Sequence, residues 1–235
     1  MPGTYVIAGG SHGIGLEIVR MLAPSAGRID VWSRTADGLP SAAGIRHLPS
    51  DFSNPDGPLP EPPEEIQGAV YCPGSITLRS FRSLQPADFR HDLEINLVGA
   101  VRFLQACQPR LKGPDGGTAS VVLFSTVAVG QGMPMHASVA AAKAAVEGLT
   151  RALAAEWAPK IRVNAIAPGL VDTPLAARLL SSPEKREALA ARHPLKRIGT
   201  PADIAALARF LLSAESDWVT GQVFGVDGGM STLRC

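Results

Sequence analysis

Ser125, Thr126 and Lys143 are the side chains whose types and spacing could do chemistry in this chain. Val121 to Phe124 is an unbroken apolar run, closed by the two hydroxyls. Such a run reads as a buried parallel strand with Ser125 and Thr126 at its C-terminal tip. A loop punctuated by glycine and Pro134 follows, and an alanine-rich helix begins near His136 or Ala137. Lys143 is the only cation in the first turns of that helix. Ligands of open α/β sheets bind beyond the carboxyl ends of the strands. Hydroxyls at such a tip, with an ammonium on the next helix, stand where a reacting group would lie.

The elements that must position them begin at the N-terminus. Thr4 to Ala8 is a short apolar strand, followed by Gly9-Gly10-Ser11-His12-Gly13-Ile14-Gly15 and an amphipathic helix through Leu22. Strand, glycine loop and helix in this order are the context of a dinucleotide fingerprint. Gly9 allows the tight turn, while Gly13 and Gly15 let backbone approach a pyrophosphate and helix pack on sheet. Without that context the same loop would be only a tight βα turn. Arg28 to Ser33 is the second strand. Asp30 has the sequence spacing of a ribose-binding acid but lies at the wrong end of the strand. The tip carries Ser33-Arg34, and no carboxylate occupies it. Arg34 can pair with a 2′-phosphate, which points to NADP rather than NAD.

Ile45 to Leu48 and Ala69 to Cys72 read as further strands. Pro49, Pro55, Pro58, Pro60, Pro62 and Pro63 between them leave no room for a full crossover helix. Pro86 to Leu111 is expected as one long helix, with Asn96 as a poor interior residue. Ile161 to Ile166 is a β-branched strand, and Leu175 to Arg192, broken near Pro183, is a helical segment of the kind that covers a substrate. Pro201 to Ser213 is a helix and Gly221 to Asp227 the last strand. Strands alternating with helices at this spacing predict an α/β fold, a doubly wound parallel (Rossmann) sheet in a single domain over 1–235.

Composition narrows the partners. The 235 residues are 46% hydrophobic and 18% charged, ordinary for a globular chain. A net charge of +1 points to neither a nucleic-acid nor an anionic-membrane partner. Cys72, Cys107 and Cys235 are too few and too scattered for a disulfide framework or a metal site, and read as reduced thiols. The chain enters a strand by Thr4 without a secretory pattern, and no apolar run approaches a membrane span. The expectation is a cytoplasmic protein acting on a small molecule.

The Gly-x3-Gly-x-Gly loop and the segment from Ser125 to Lys143 resemble the short-chain dehydrogenase/reductase family, nearest the 3-oxoacyl-carrier-protein reductase type, and the resemblance covers nearly the whole chain. In that family a strand-end Ser, a Tyr thirteen residues later and a Lys four after the Tyr form the catalytic group. Anchored on Lys143, Thr126 takes the Ser position and Val139 the Tyr position. The resemblance implies that Lys143 grips the cofactor ribose, that Thr126 holds a carbonyl oxygen, and that Asn96 kinks its helix and holds a water near the Lys. It also implies cofactor contacts from Ser11, His12, Ile14, Asp51, Phe52, Gly74, Pro168, Gly169, Val171 and Thr173. A homotetramer, paired through the alanine-rich helix and the final strand, follows in the same way. The sequence departs from the family at Tyr71-Cys72-Pro73-Gly74, where Asn-Asn-Ala-Gly is usual, and at Val139.

Val139 has no donor or acceptor, whereas the family's Tyr gives a proton to the carbonyl oxygen. A positioned general acid is worth roughly 10²–10⁴-fold in rate, and cofactor positioning survives without it. His136, one turn before Val139, is the obvious substitute, and Lys143 acting directly or through water is the other. Two classes stand: an NADP-linked oxidoreductase with an altered proton relay, and a cofactor-binding protein without redox activity.

Overall fold

The chain alternates β1 (Gly3–Ala8), α1 (Gly13–Leu22), β2 (Ala26–Ser33), β3 (Ile45–Pro49), β4 (Gly68–Tyr71), α2 (Pro86–Leu93), α3 (Gly99–Cys107), β5 (Ala119–Phe124), α4 (Ala137–Trp157), β6 (Ile161–Pro168), α5 (Pro183–Ala191), α6 (Pro201–Leu212) and β7 (Val223–Val226). The computed structural model describes residues 3–234, so Cys235 lies outside the described residues. The strands form one parallel sheet in the order β3-β2-β1-β4-β5-β6-β7. This is the doubly wound arrangement expected from the alternating pattern.

Helices cover both faces, which is why the central strands are apolar on both sides. Val6, Tyr71 and Leu123 point to one face, against Phe103, Leu104 and Val146 of α3 and α4. Their neighbours Ile7, Val70 and Val122 point to the other, against Ile18, Val19, Ile204 and Leu211 of α1 and α6. Strand order reverses between β1 and β4, so the loops after these strands diverge and leave a crevice. Gly9-to-His12 forms one wall and Cys72-to-Gly74 the other. Among the described residues no helix is long and apolar enough to cross a membrane.

Two expectations change. The helix expected over Pro86 to Leu111 is α2 and α3 joined by a π-helical turn, Glu94–Val98, and it ends at Cys107. Asn96 sits in that turn and its Nδ2 donates to the Asp92 carbonyl at 2.8 Å. A side chain that bonds the backbone one turn back competes with the helical ladder and widens it. The final strand is shorter than Gly221 to Asp227, because Gly221 turns with φ +72° before it. No helix forms between β3 and β4, where the prolines lie.

Candidate active site

The tip of β5 separates the two hydroxyls by role. Ser125 is buried, and its Oγ donates to Glu147 Oε1 at 2.8 Å. Thr126 is half-buried and lines a cavity of about 280 Å³; its Oγ1 accepts only a long bond, 3.3 Å from the Ala128 amide. Lys143 lines the same cavity and is 8% exposed. Its Nζ donates to the Phe124 carbonyl at 2.8 Å, which fixes the ammonium at the strand tip. Burial pushes Lys143 down to about 8, opposed by Cys72 and Asp92. Val139, one turn earlier on α4, is buried and presents only methyl groups to the cavity. His136 caps α4 and lines the cavity; its Nδ1 meets the Pro134 carbonyl at 2.8 Å. A carbonyl only accepts, so Nδ1 carries the hydrogen and Nε2 is the nitrogen left for a ligand.

A groove of about 740 Å³ runs from this cavity across the glycine loop to the tip of β2. Ile14, Cys72, Gly74 and Thr173 border both spaces, so the two are continuous. Gly9 turns with φ +71°, and a Cβ on Gly15 would strike the Gly9 carbonyl oxygen. Only glycine lets the loop and the start of α1 come this close, with amides left facing the groove. Ser11, His12 and Gly13 border it, and Ser11 Oγ lies 2.9 Å from His12 Nδ1. Arg34 is exposed at the far end. A long groove with amides at its middle, a guanidinium at one end and a buried ammonium at the other fits an adenine dinucleotide.

The structure adds partners around the expected contacts. The β2 tip is not free of acid: Asp37 and Asp51 border the groove beside Arg34. Ser53 holds the Asp51 carboxyl below its ordinary value through hydroxyl and amide hydrogen bonds, with a smaller contribution from Arg34. Ser33 Oγ donates to the Thr35 carbonyl at 2.8 Å, so its hydroxyl can meet a ligand only as an acceptor. The Phe52 ring is packed edge-on to Tyr71 at 5.2 Å in the core, so only its backbone can face the groove. Pro168, Gly169 and Val171 wall the smaller cavity with Lys143, and Thr173 of the same loop borders both spaces. Asp30, in the middle of β2 and away from its tip, is fully buried and held by Arg28 through two 2.8 Å bonds.

Comparison with known proteins fits this geometry. The family model described as enoyl-(acyl carrier protein) reductase matches residues 64–231, and a galactitol 2-dehydrogenase (L-tagatose-forming) from Cereibacter sphaeroides is 34% identical over 95% of this chain and 92% of its own. The chain belongs to the short-chain dehydrogenase/reductase family. A 3-oxoacyl-[acyl-carrier-protein] reductase FabG from Thermotoga maritima is 40% identical over 63% of this chain, a match spanning 58% of that protein. Among solved structures, an Agrobacterium tumefaciens protein described as a 2-deoxy-D-gluconate 3-dehydrogenase, with NADP bound, superposes with a TM-score of 0.82. It is 28% identical, over 97% of this chain and 96% of its own.

Short-chain dehydrogenase/reductase family membership makes the departures informative. Tyr71, where that family has Asn, is buried, and its hydroxyl donates to the Ile95 carbonyl at 2.7 Å. The π turn loosens the backbone hydrogen-bond ladder, and Tyr71 partners a carbonyl within it. Burial pushes the Cys72 thiol up to about 12, opposed by Lys143. Sequence reasoning placed Asn96 near Lys143, and the structure puts Asn96 Oδ1 and Lys143 Nζ on the same side of Gly74, within 3.1 and 3.5 Å of a Cβ built there. It missed Ser75 and His193, both in the cavity wall. His193 arrives from the end of α5, with Nδ1 on the Leu189 carbonyl at 2.9 Å and Nε2 buried without a partner. Only the folding of α5 over the cavity brings it there.

Proposed function

We propose that this chain is an NADP-linked oxidoreductase that interconverts a small, mainly apolar carbonyl compound and its alcohol, by a proton route that bypasses residue 139. The observation that carries this is Lys143, buried beside Gly74 where the groove meets the cavity. When bound, a reduced nicotinamide supplies hydride to a carbonyl carbon. Lys143 would grip the ribose, Thr126 would hold the substrate oxygen, and the glycine loop would hold the pyrophosphate. Arg34, and the NADP bound in the Agrobacterium relative, support NADP as the cofactor. Ile76, Leu78, Met133, Leu179 and Met230 in the cavity wall support an apolar substrate.

The test follows NADPH absorbance with menadione and ethyl acetoacetate. Wild type is expected to turn over slowly, and Val139→Tyr, which restores an acid one turn from Lys143, to raise the rate by roughly 10²-fold. A wild type that binds NADPH but stays inert, while the Val139→Tyr variant is active, refutes the separate proton route. Inertness in both, with NADPH bound, identifies a cofactor-binding protein without redox activity. We also propose a homotetramer, because Ala141, Ala144 and Gly148 form an exposed small-residue face on α4.

A further inference from the structure

Val139 leaves the cavity without its usual acid, yet a second acid–base pair opens onto it. Ser75, in the loop after β4, lines the cavity, and its Oγ donates to Asp92 Oδ1 at 2.6 Å. Asp92, on α2, has no exposed surface. Thr77 also donates to Oδ1, at 3.0 Å, while Oδ2 has no partner. Asn96 Nδ2 donates to Ser75 Oγ at 2.9 Å, and its Oδ1 accepts from the Ser75 amide at 3.4 Å. A hydroxyl has one hydrogen to give and two lone pairs to accept with. The hydrogen of Ser75 goes to Asp92 and one lone pair to Asn96. One lone pair remains, on a residue of the cavity wall.

A buried carboxyl with an unpartnered oxygen is costly, the more so if charged, and calls for a reason. Capping the Ser75–Thr77 loop accounts for Oδ1 alone; an amide would serve that purpose as well. A carboxyl differs from an amide in accepting and releasing a proton. Asp92 also acts on Lys143, whose ammonium it favours across the same site.

We infer that Ser75 and Asp92 are the proton relay of this cavity. In the direction of alcohol oxidation the hydrogen bonds are already set. The alcohol O–H breaks and its proton bonds to Ser75 Oγ, as the Ser75 O–H breaks and its proton bonds to Asp92 Oδ1. An oxidised nicotinamide, when bound, would take the hydride from the carbon that bears the alcohol oxygen. Reduction runs the two proton transfers backwards, from Asp92 to Ser75 and from Ser75 to the oxygen that gains charge as hydride arrives. Ser75 is the residue that touches substrate, and Asp92 acts through it. Asn96 steadies the Ser75 oxygen while its proton moves. The inference rests on the oxidoreductase reading above and supplies the route which that reading leaves open.

The experiment compares wild type with Asp92→Asn, Ser75→Ala and His136→Ala. The amide of Asp92→Asn still accepts from Ser75 and Thr77, so the loop keeps its anchor. With NADPH and menadione or ethyl acetoacetate, Asp92→Asn and Ser75→Ala are expected to lower kcat by roughly 10²-fold, with KM and NADPH affinity within about threefold. The solvent deuterium isotope effect on kcat should rise in Asp92→Asn, which a purely structural role would not produce. A fall of that size in the kcat of His136→Ala, with Ser75→Ala unimpaired, overturns the relay. A readout without turnover is the carboxyl carbon NMR signal of Asp92 in cofactor-free protein, identified by its loss in Asp92→Asn. That signal should move in Ser75→Ala, and an unmoved signal overturns the pairing. An active wild type with Asp92→Asn unimpaired, or impaired only through KM or folding, overturns the relay and leaves the oxidoreductase reading intact. An inert wild type overturns both. If Asp92→Asn does not fold, Ser75→Ala and the isotope effect in Ser75→Cys decide alone.

Discussion

Lys143→Met is expected to make the protein more stable while removing its ability to hold cofactor. Burial lowers Lys143 from 10.5 to about 8. At about 1.4 kcal/mol per pH unit, that shift corresponds to about 3 kcal/mol of folding free energy lost in keeping a buried ammonium charged. Below pH about 8 the lysine is charged in both the folded and the unfolded chain, so the whole cost applies. Between about 8 and 10.5 the unfolded chain binds the proton and the folded chain does not. Stability of the wild type therefore rises with pH across that window. Methionine has a similar reach and no charge, but it leaves the Phe124 carbonyl without its 2.8 Å donor, a loss of about 1 kcal/mol. The net gain near neutral pH is then about 2 kcal/mol. Urea denaturation of both proteins, repeated below about 8 and above 10.5, measures it. The advantage should shrink through the window and reverse above it. A variant less stable than wild type near neutral pH, or an advantage independent of pH, refutes the reasoning.

Arg34→Asp should weaken NADPH binding by more than about 1.5 kcal/mol, the scale of a charge-assisted contact, with a smaller effect on NADH. Calorimetry that finds NADH bound equally or more tightly by the unmodified protein counts against the assignment of Arg34. Light scattering at micromolar concentration should give a tetrameric mass, and a monomer there removes the role assigned to the exposed face of α4.

The sheet was legible because its signals are local. An apolar run with hydroxyls at its tip, a glycine loop between strand and helix, and Lys143 on the following helix each lie within a few turns of chain. Thr126 and Lys143 stand where that reading puts them. What that reading leaves out has a common cause. Side chains at the right place in sequence have partners that sequence does not show: Ser33 is taken by Thr35, Phe52 by the aromatic core, and Ser125 by Glu147. Asp37 and Asp51 come beside Arg34 only when the loops after β2 and β3 fold toward the same groove. Ser75 and Asp92 were invisible for a related reason. They lie seventeen residues apart, on a loop and a helix that only the folded chain brings together. Neither residue has a motif around it to draw notice.

The hydroxyl of Tyr71 also limits how this site can change. It occupies the space into which any side chain at Gly99 would grow, so the two positions are not independent. While Tyr71 stands, alanine at Gly99 meets the phenol oxygen and must displace it from Ile95. Once Tyr71 is shortened, the same alanine becomes tolerable, but the Ile95 carbonyl has lost its donor. A path toward the asparagine usual in this family therefore has an order: position 71 first, position 99 second. The reverse order passes through an intermediate that is both crowded and short of a hydrogen bond. Libraries that vary position 99 alone will score it as fixed, and only paired substitutions will reveal the freedom the two share.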